Sequence, residues 1–309
     1  MTEAPASLEA AVLHALDATS ERVLERSALA GGSIHQVERW RLTGGAPLVL
    51  KITDGDERVF ATEAVGLRAL AAAGALRVPR VLGLGRTADR SLTFLALEDL
   101  GDGGRTLRDD AFFERLGQGL AEVHRTPPAS ILADLDATAD GPFGFAHDNF
   151  LGPTLQPNSW LEDWPTFWRL RRLEPMVALL RARRLLDAEL ERRLAALGEQ
   201  LDDLLATSDP PSLLHGDLWS GNVLVDGSGA PAVIDPATYF GHREADLAMT
   251  RLFGGFAPRF EAAYRAAWPL DAGDSDRAAV YELHHLLNHL VLFGGGYRSA
   301  CLARLRRFD

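Results

Sequence analysis

The stretch that most constrains this chain is Leu213-Leu214-His215-Gly216-Asp217-Leu218-Trp219-Ser220-Gly221-Asn222-Val223-Leu224-Val225, followed by Ala232-Val233-Ile234-Asp235-Pro236. Short apolar runs of β type flank a polar loop, and the last of them ends in an acid. A His-x-Asp is followed by an Asn five residues after the Asp, and by a second Asp thirteen residues after the Asn. Singly, His, Asp and Asn are common turn residues. In this order, between apolar runs, they read as a loop that gathers side-chain oxygens. Asp217 stands on one side of it, Asn222 on the other, and Asp235 returns on the next strand. Mg²⁺ is hard and prefers oxygen donors, so Asn and Asp suit it.

Kinase catalytic loops share these intervals, with the metal-binding Asp on a following turn. In-line phosphoryl transfer needs a carboxylate to orient the acceptor hydroxyl and take its proton, and oxygen ligands that hold Mg²⁺ against the phosphates. Asp217 is the candidate proton acceptor; Asn222 and Asp235 are the candidate metal ligands. The same chemistry asks for a lysine on an upstream strand and an acid on the following helix to position it. Leu48-Val49-Leu50-Lys51-Ile52 is such a strand, and Lys51 is the only lysine in the chain. Glu63 lies at the rim of the apolar stripe Phe60, Ala64, Leu67 and Ala71, within reach of Lys51. Glu57, at the helix start, favours the dipole instead. Gly31, Gly32 and Ser33 are expected to form a turn over the phosphates. Glu98, Asp99 and Leu100 are expected to offer backbone groups to adenine.

Around these residues the pattern is α+β. Residues 37–42 and 48–53 read as a hairpin, 57–73 as a helix stopped by Gly74, and 81–85 and 92–97 as two more strands. From residue 109 the periodicity is mainly helical, clearest in Leu186, Leu190, Leu194, Leu197, Leu201 and Leu204. Residues 127–160, rich in Gly, Pro and aromatics, read as irregular. The order predicts a protein-kinase-like bilobal fold. Residues 1–100 form an N-terminal nucleotide-binding lobe, a small antiparallel β lobe with one helix. Residues 101–309 form a larger, mainly helical C-terminal lobe with the catalytic loop and acceptor site.

The 47 % hydrophobic and 24 % charged composition is that of a globular protein. A formal net charge of −11 argues against a nucleic-acid partner and requires local cations at any triphosphate site. No apolar run approaches the roughly 20 residues of a membrane span. The first ten residues lack the order of a secretion signal, and the single cysteine, Cys301, fits a reducing compartment. The expected location is cytoplasmic.

The sequence resembles the fructosamine kinase (ketosamine-3-kinase) family, a relative of the aminoglycoside phosphotransferases. The resemblance rests on residues 215–222, on Ile234-Asp235-Pro236-Ala237 and on Arg243-Glu244-Ala245-Asp246-Leu247-Ala248-Met249. It extends to Asp148-Asn149-Phe150, Gln156-Pro157-Asn158, Leu252-Phe253-Gly254-Gly255-Phe256, His285-Leu286-Leu287-Asn288-His289-Leu290 and Leu292-Phe293-Gly294-Gly295-Gly296-Tyr297. It implies ATP- and Mg²⁺-dependent phosphorylation of O3 on a small-molecule ketosamine, free or on a glycated amine, with deglycation as the outcome. The chain departs from the family pattern at His35, where Asn is common. Trp219 is expected to stack on a sugar, and His284, His285 and Asn288 to line the acceptor pocket. Asp246 is expected to hold the catalytic loop through backbone N–H groups. The arginines between Arg169 and Arg193 are expected on a solvated helix face, and Cys301 as an inert thiol. Two other readings stand beside this one. One is a kinase for another hydroxylated amine, aminoglycoside-like or choline-like; the other is a nucleotide-binding scaffold without catalysis, although Lys51, Asp217, Asn222 and Asp235 are all present.

Overall fold

The computed structural model describes residues 7–29, 35–101 and 108–308, so the expected turn at Gly31, Gly32 and Ser33 lies outside the described residues. Helix α1 (Leu8–Ala15) precedes strands β1 (Val23–Ala28), β2 (Gln36–Leu42) and β3 (Leu48–Thr53). Helix α2 (Arg58–Ala73) and strands β4 (Val81–Arg86) and β5 (Thr93–Glu98) follow. The five strands form one antiparallel sheet in the order β1-β2-β3-β5-β4. The expected hairpin is β2–β3, with Val37 opposite Lys51. Neither α1 nor β1 was legible in advance. α1 has only eight residues, and five of the six residues of β1 are exposed, which erases the alternation that marks a strand.

Strand alternation sorts the two faces of β3. Leu48, Leu50 and Ile52 join Trp40, Phe94 and α1 in one core cluster, whereas Val49 packs against the other, larger cluster. Lys51 shares the Val49 face and therefore points toward α2. That helix stops at Gly74, whose φ of 71° is the left-handed conformation glycine supplies at a helix end.

The rest of the chain is mainly helical. It contains α3 (Asp110–Arg125), α4 (Pro128–Asp134), a hairpin of β6 (Asn149–Leu151) and β7 (Thr154–Gln156), α5 (Trp164–Trp168), α6 (Glu174–Ala182) and α7 (Ala188–Leu204). Short strands β8 (Ser212–Leu214), β9 (Val223–Val225), β10 (Pro231–Val233) and β11 (Tyr239–Gly241) come next. Helices α8 (Glu244–Leu252), α9 (Pro258–Ala267), α10 (Asp274–Phe293) and α11 (Arg298–Leu305) end the chain. The larger core cluster runs from α2 through these helices, joining the two parts. Among the described residues no helix is long and apolar enough to cross a membrane.

Two expectations are corrected. Residues 127–160 are not simply irregular, because α4 and the β6–β7 hairpin lie within them. Strands of three residues are too short to show a period. Arg172 is not on a solvated face: it is fully buried, donating to Pro157 O and Asn158 Oδ1 at 2.7 Å each. Its guanidinium lies 4.0 Å from the centre of the Tyr239 ring. The cause is a π-helical turn, Arg169–Leu173, between α5 and α6, which breaks the regular helical period there.

In α7, Leu190, Leu194, Leu197 and Leu201 are buried, as their spacing requires. Leu197→Ala is expected to cost about 2–5 kcal/mol of stability. The measurement is a lower urea midpoint with an unchanged slope.

Candidate active site

Two miniature ladders fold the 212–241 segment back on itself. β8 pairs with β11, and β9 pairs with β10 so that Val223 faces Val233. Just beyond, Ile234 N–H donates to Asn222 O at 3.0 Å and Ala237 N–H donates to His215 O at 2.8 Å. The thirteen-residue interval thus closes, and Asp235 arrives beside Asn222. Asp235 has a φ of 56°, a left-handed conformation costing a non-glycine residue about 1–2 kcal/mol.

The loop itself leaves little room for change. Gly216 has a φ of 82°, and a Cβ there would lie 2.0 Å from Ala237 O. The buried His215 ring accepts Asp217 N–H on Nδ1 at 3.3 Å and donates from Nε2 to Ile234 O at 2.9 Å. Burial lowers its pKa and keeps it neutral. Asp246, on α8, accepts His215 N–H at 2.7 Å and Gly216 N–H at 2.9 Å, the arrangement expected of it. His124 Nε2 adds a third contact to Asp246 at 3.2 Å, and its Nδ1 meets Tyr264 Oη at 2.8 Å. Burial works against the Asp246 carboxylate, but His124 and the loop N–H groups outweigh it and hold the pKa below its ordinary value.

Lys51 Nζ sits 2.6 Å from Glu63 Oε2 and 3.2 Å from Asp235 Oδ1. Burial pulls its pKa down, yet the two carboxylates prevail and raise it, so the ammonium stays charged. Glu63 is pushed up by burial and opposed by that ammonium. Asn222 Nδ2 donates to Asp217 O at 2.9 Å and to Asp217 Oδ2 at 3.3 Å, which leaves the Asn222 carbonyl oxygen for a cation. Burial first, and then the negative charge of Asp235, push the Asp217 carboxyl up to about 7.

Lys51, Glu63, Asp217, Trp219, Asn222 and Asp235 all line one solvent-open cleft of about 780 Å³. His35 lines it too, its ring centre 5.0 Å from that of Phe60 in an edge-on arrangement. Glu98, Asp99 and Leu100, expected to offer backbone groups, stand at and just after the end of β5 and are not among the residues lining this cleft. The Glu98 side chain pairs with Arg77 at 2.6 Å, the Asp99 side chain pairs with Arg39 at 2.6 Å, and Leu100 O accepts Gly227 N–H at 2.8 Å. Of the acceptor trio only His285 faces the centre, its Nδ1 3.9 Å from Asp217 Oδ1. His284 Nε2 instead meets Gln156 Oε1 at 3.2 Å, and Asn288 donates to Leu151 O at 3.2 Å. Both anchor the β6–β7 hairpin, which brings Phe150 and Gly152 to the cleft. Those two went unassigned in the sequence because only tertiary packing carries the hairpin there. Arg108 was missed as well: it donates to Ser220 O at 3.2 Å and to Val223 O, bracing the loop from outside.

Chemically, the cleft offers a charged ammonium, three oxygen-bearing side chains in a row, and an aromatic face. Among the described residues no group of three or more His, Cys, Asp or Glu side chains makes a metal cage. An Asn–carboxylate pair fits a cation that keeps waters and phosphate oxygens in its shell, as Mg²⁺ does.

The family model described as Fructosamine kinase matches residues 6–308. A probable ketoamine kinase of Synechocystis sp. is 36 % identical over 288 residues, covering 93 % of this chain and 90 % of that one. The chloroplastic protein-ribulosamine 3-kinase of Oryza sativa subsp. indica is 33 % identical over 278 residues, 90 % of this chain and 76 % of its own. The crystal structure of a candidate fructosamine-3-kinase from Thermobifida fusca superposes with a TM-score of 0.81 at 32 % identity, covering 98 % of each chain. An aminoglycoside phosphotransferase, solved with AMP-PNP and hygromycin B, shares the fold with a TM-score of 0.63 at 18 % identity, over 97 % of this chain and 98 % of its own.

Asp246→Asn is expected to lower stability by about 3 kcal/mol at neutral pH, since an amide cannot accept from every one of these donors. The folded pKa of Asp246 lies below its unfolded value, so its contribution is complete above about pH 4 and fades as pH falls further. The gap between wild type and Asp246→Asn in denaturant titrations should therefore narrow on acidification.

Proposed function

The chain belongs to the fructosamine kinase family, and on that premise we propose that it transfers the terminal phosphoryl group of ATP to O3 of a ketosamine such as a fructosamine or ribulosamine. The observation that carries this reading is the convergence of Asp217, Asn222 and Asp235 on one cleft facing Lys51. Lys51, held by Glu63, takes phosphate oxygens. Asn222 and Asp235 are the ligands for Mg²⁺, which when bound neutralises phosphate charge. These cations are what let a chain of net charge −11 hold a triphosphate. Asp217 orients the acceptor hydroxyl and receives its proton as the O3–phosphorus bond forms and the bond to ADP breaks. Trp219 offers a ring face to the sugar, and His285 stands on the acceptor side of Asp217.

The acceptor class rests on the family relatives, because the likeness to aminoglycoside phosphotransferases is one of fold. Enolisation between C1 and C2 of the product expels the C3 phosphate, and water then frees the amine, which is deglycation. The lone cysteine, Cys301, is buried with its thiol pushed up to about 12 by burial, as befits an inert thiol; the location that goes with this reading is cytoplasmic.

Incubation with labelled ATP and a panel of ketosamines and aminoglycosides tests the acceptor. Phosphorylation of ketosamines alone is expected; turnover of aminoglycosides alone would remove the ketosamine assignment and leave the kinase. Asp217→Asn is expected to lower kcat on the order of 10²-fold or more with ATP affinity retained. Near wild-type turnover in that variant would take the proton-acceptor role from Asp217 and favour another group. Lys51→Met should lower kcat/KM for ATP, read from initial rates, because it removes a phosphate contact and leaves Glu63 and Asp235 without their cation.

A further inference from the structure

The β6–β7 hairpin does more than wall the cleft. Its end residues, Asn149 and Gln156, face each other across the ladder, and both are buried. Gln156 Nε2 donates to Asn149 Oδ1 at 2.9 Å, and Asn149 Nδ2 donates to Thr238 O at 2.8 Å. Gln156 Nε2 also reaches Ala237 O at a long 3.5 Å. With its amide nitrogen engaged in this way, Gln156 offers only Oε1 to His284 Nε2, 3.2 Å away, so the imidazole is the donor there. Burial lowers the His284 pKa and keeps that ring neutral. Every link of the chain therefore donates in one direction, from α10 through the hairpin to the backbone that follows Asp235.

That backbone is held from two sides. The catalytic loop takes its N–H groups: Ile234 N–H goes to Asn222 O and Ala237 N–H to His215 O. The hairpin takes its carbonyls, at Ala237 and Thr238. Between these fixed points stands Asp235, with its left-handed φ of 56°. Such a conformation persists only where the surroundings over-determine it. Holding Phe150 and Gly152 in the cleft wall would not by itself call for amides. Apolar side chains would do that equally well, without the desolvation of two amides and an imidazole. Directed hydrogen bonds are needed where a carbonyl has to be fixed in place, and the carbonyls fixed here are those just beyond Asp235.

We propose that Asn149 and Gln156 are positioning residues for Mg²⁺-dependent nucleotide binding, holding the turn after β10 so that the Asp235 carboxylate is presented to the cation. The proposal rests on the reading of Asp235 as a metal ligand and adds to it two residues that do not themselves line the cleft. Groups that orient a metal ligand from behind set metal affinity almost as strongly as the ligand itself.

The test needs no turnover. Affinity of the full chain for the non-hydrolysable analogue AMP-PNP is measured by titration calorimetry, once with Mg²⁺ and once with the metal chelated. In wild type Mg²⁺ is expected to tighten binding. Gln156→Met and, separately, Asn149→Leu should weaken binding in Mg²⁺ by about tenfold while changing the metal-free affinity by no more than about twofold. Gln156→Met keeps the length of the side chain and is the gentler change should Asn149→Leu fold poorly. Leu155→Ser, at an exposed position of the same strand, should leave both affinities at their wild-type values. Equal weakening with and without Mg²⁺ in the two variants assigns the amides to general packing and overturns the proposal. Asp235→Asn separates it from the metal reading. If that variant loses a Mg²⁺ effect that Gln156→Met and Asn149→Leu retain, the positioning role falls and the metal reading stands. If the Mg²⁺ effect survives undiminished in Asp235→Asn, or is missing from wild type, the metal reading falls and the positioning role with it.

Discussion

The ammonium of Lys51 is the point at which three separate pieces of the chain are tied together. It is carried on β3, met by Glu63 from α2 and by Asp235 from the segment after β10. A buried cation without partners would be costly, so the sheet, the helix and the catalytic segment are each held where they satisfy it. The close packing of α2 on that segment makes the arrangement firm: a Cβ on Gly66 would lie 2.9 Å from Thr238 Oγ1. Burial first, and then the negative charge of Asp235 beside that ammonium, push the Asp217 carboxyl upward.

The catalytic loop is held from below as well as by its own His215 and Asn222. Asp246 takes two consecutive backbone N–H groups, His124 and Tyr264 extend that bonding into α3 and α9, and Arg108 takes loop carbonyls from the opposite side. Such a network fixes the Asp217 backbone while leaving its side chain facing the cleft. The same logic operates at the β6–β7 hairpin. His284, Asn288 and buried Arg172 anchor it and the residues that follow, so Phe150 and Gly152 form a wall of the cleft. Residues expected to touch an acceptor thus act at one remove, by placing others that do line the space.

Much of this was legible from residue order. The spacing of Asp217, Asn222 and Asp235, an isolated lysine in an apolar strand and an acid on the next helix define partners whose reach is set by loop and helix geometry. Asp246 was readable because an acid within an apolar helix needs donors. The placement of His284 and Asn288 was not. On a helix buried nearly all round, periodicity does not tell which polar residue faces a cleft and which faces a neighbouring hairpin. Arg172 was misjudged for a related reason, since a π-helical turn shifts the face on which every later side chain emerges.

The amino-acid order by itself determined the chemistry available: one lysine, three oxygen-bearing side chains at fixed intervals, and the secondary structure on which each is mounted. Tertiary structure decided which aromatic and polar residues surround that chemistry. Phe150 and Arg108 come from segments remote in the chain, and contacts between distant segments leave no period or spacing in a single sequence. Local propensity fixes what a residue can do over a few turns of backbone; only packing of the whole chain fixes what it stands beside.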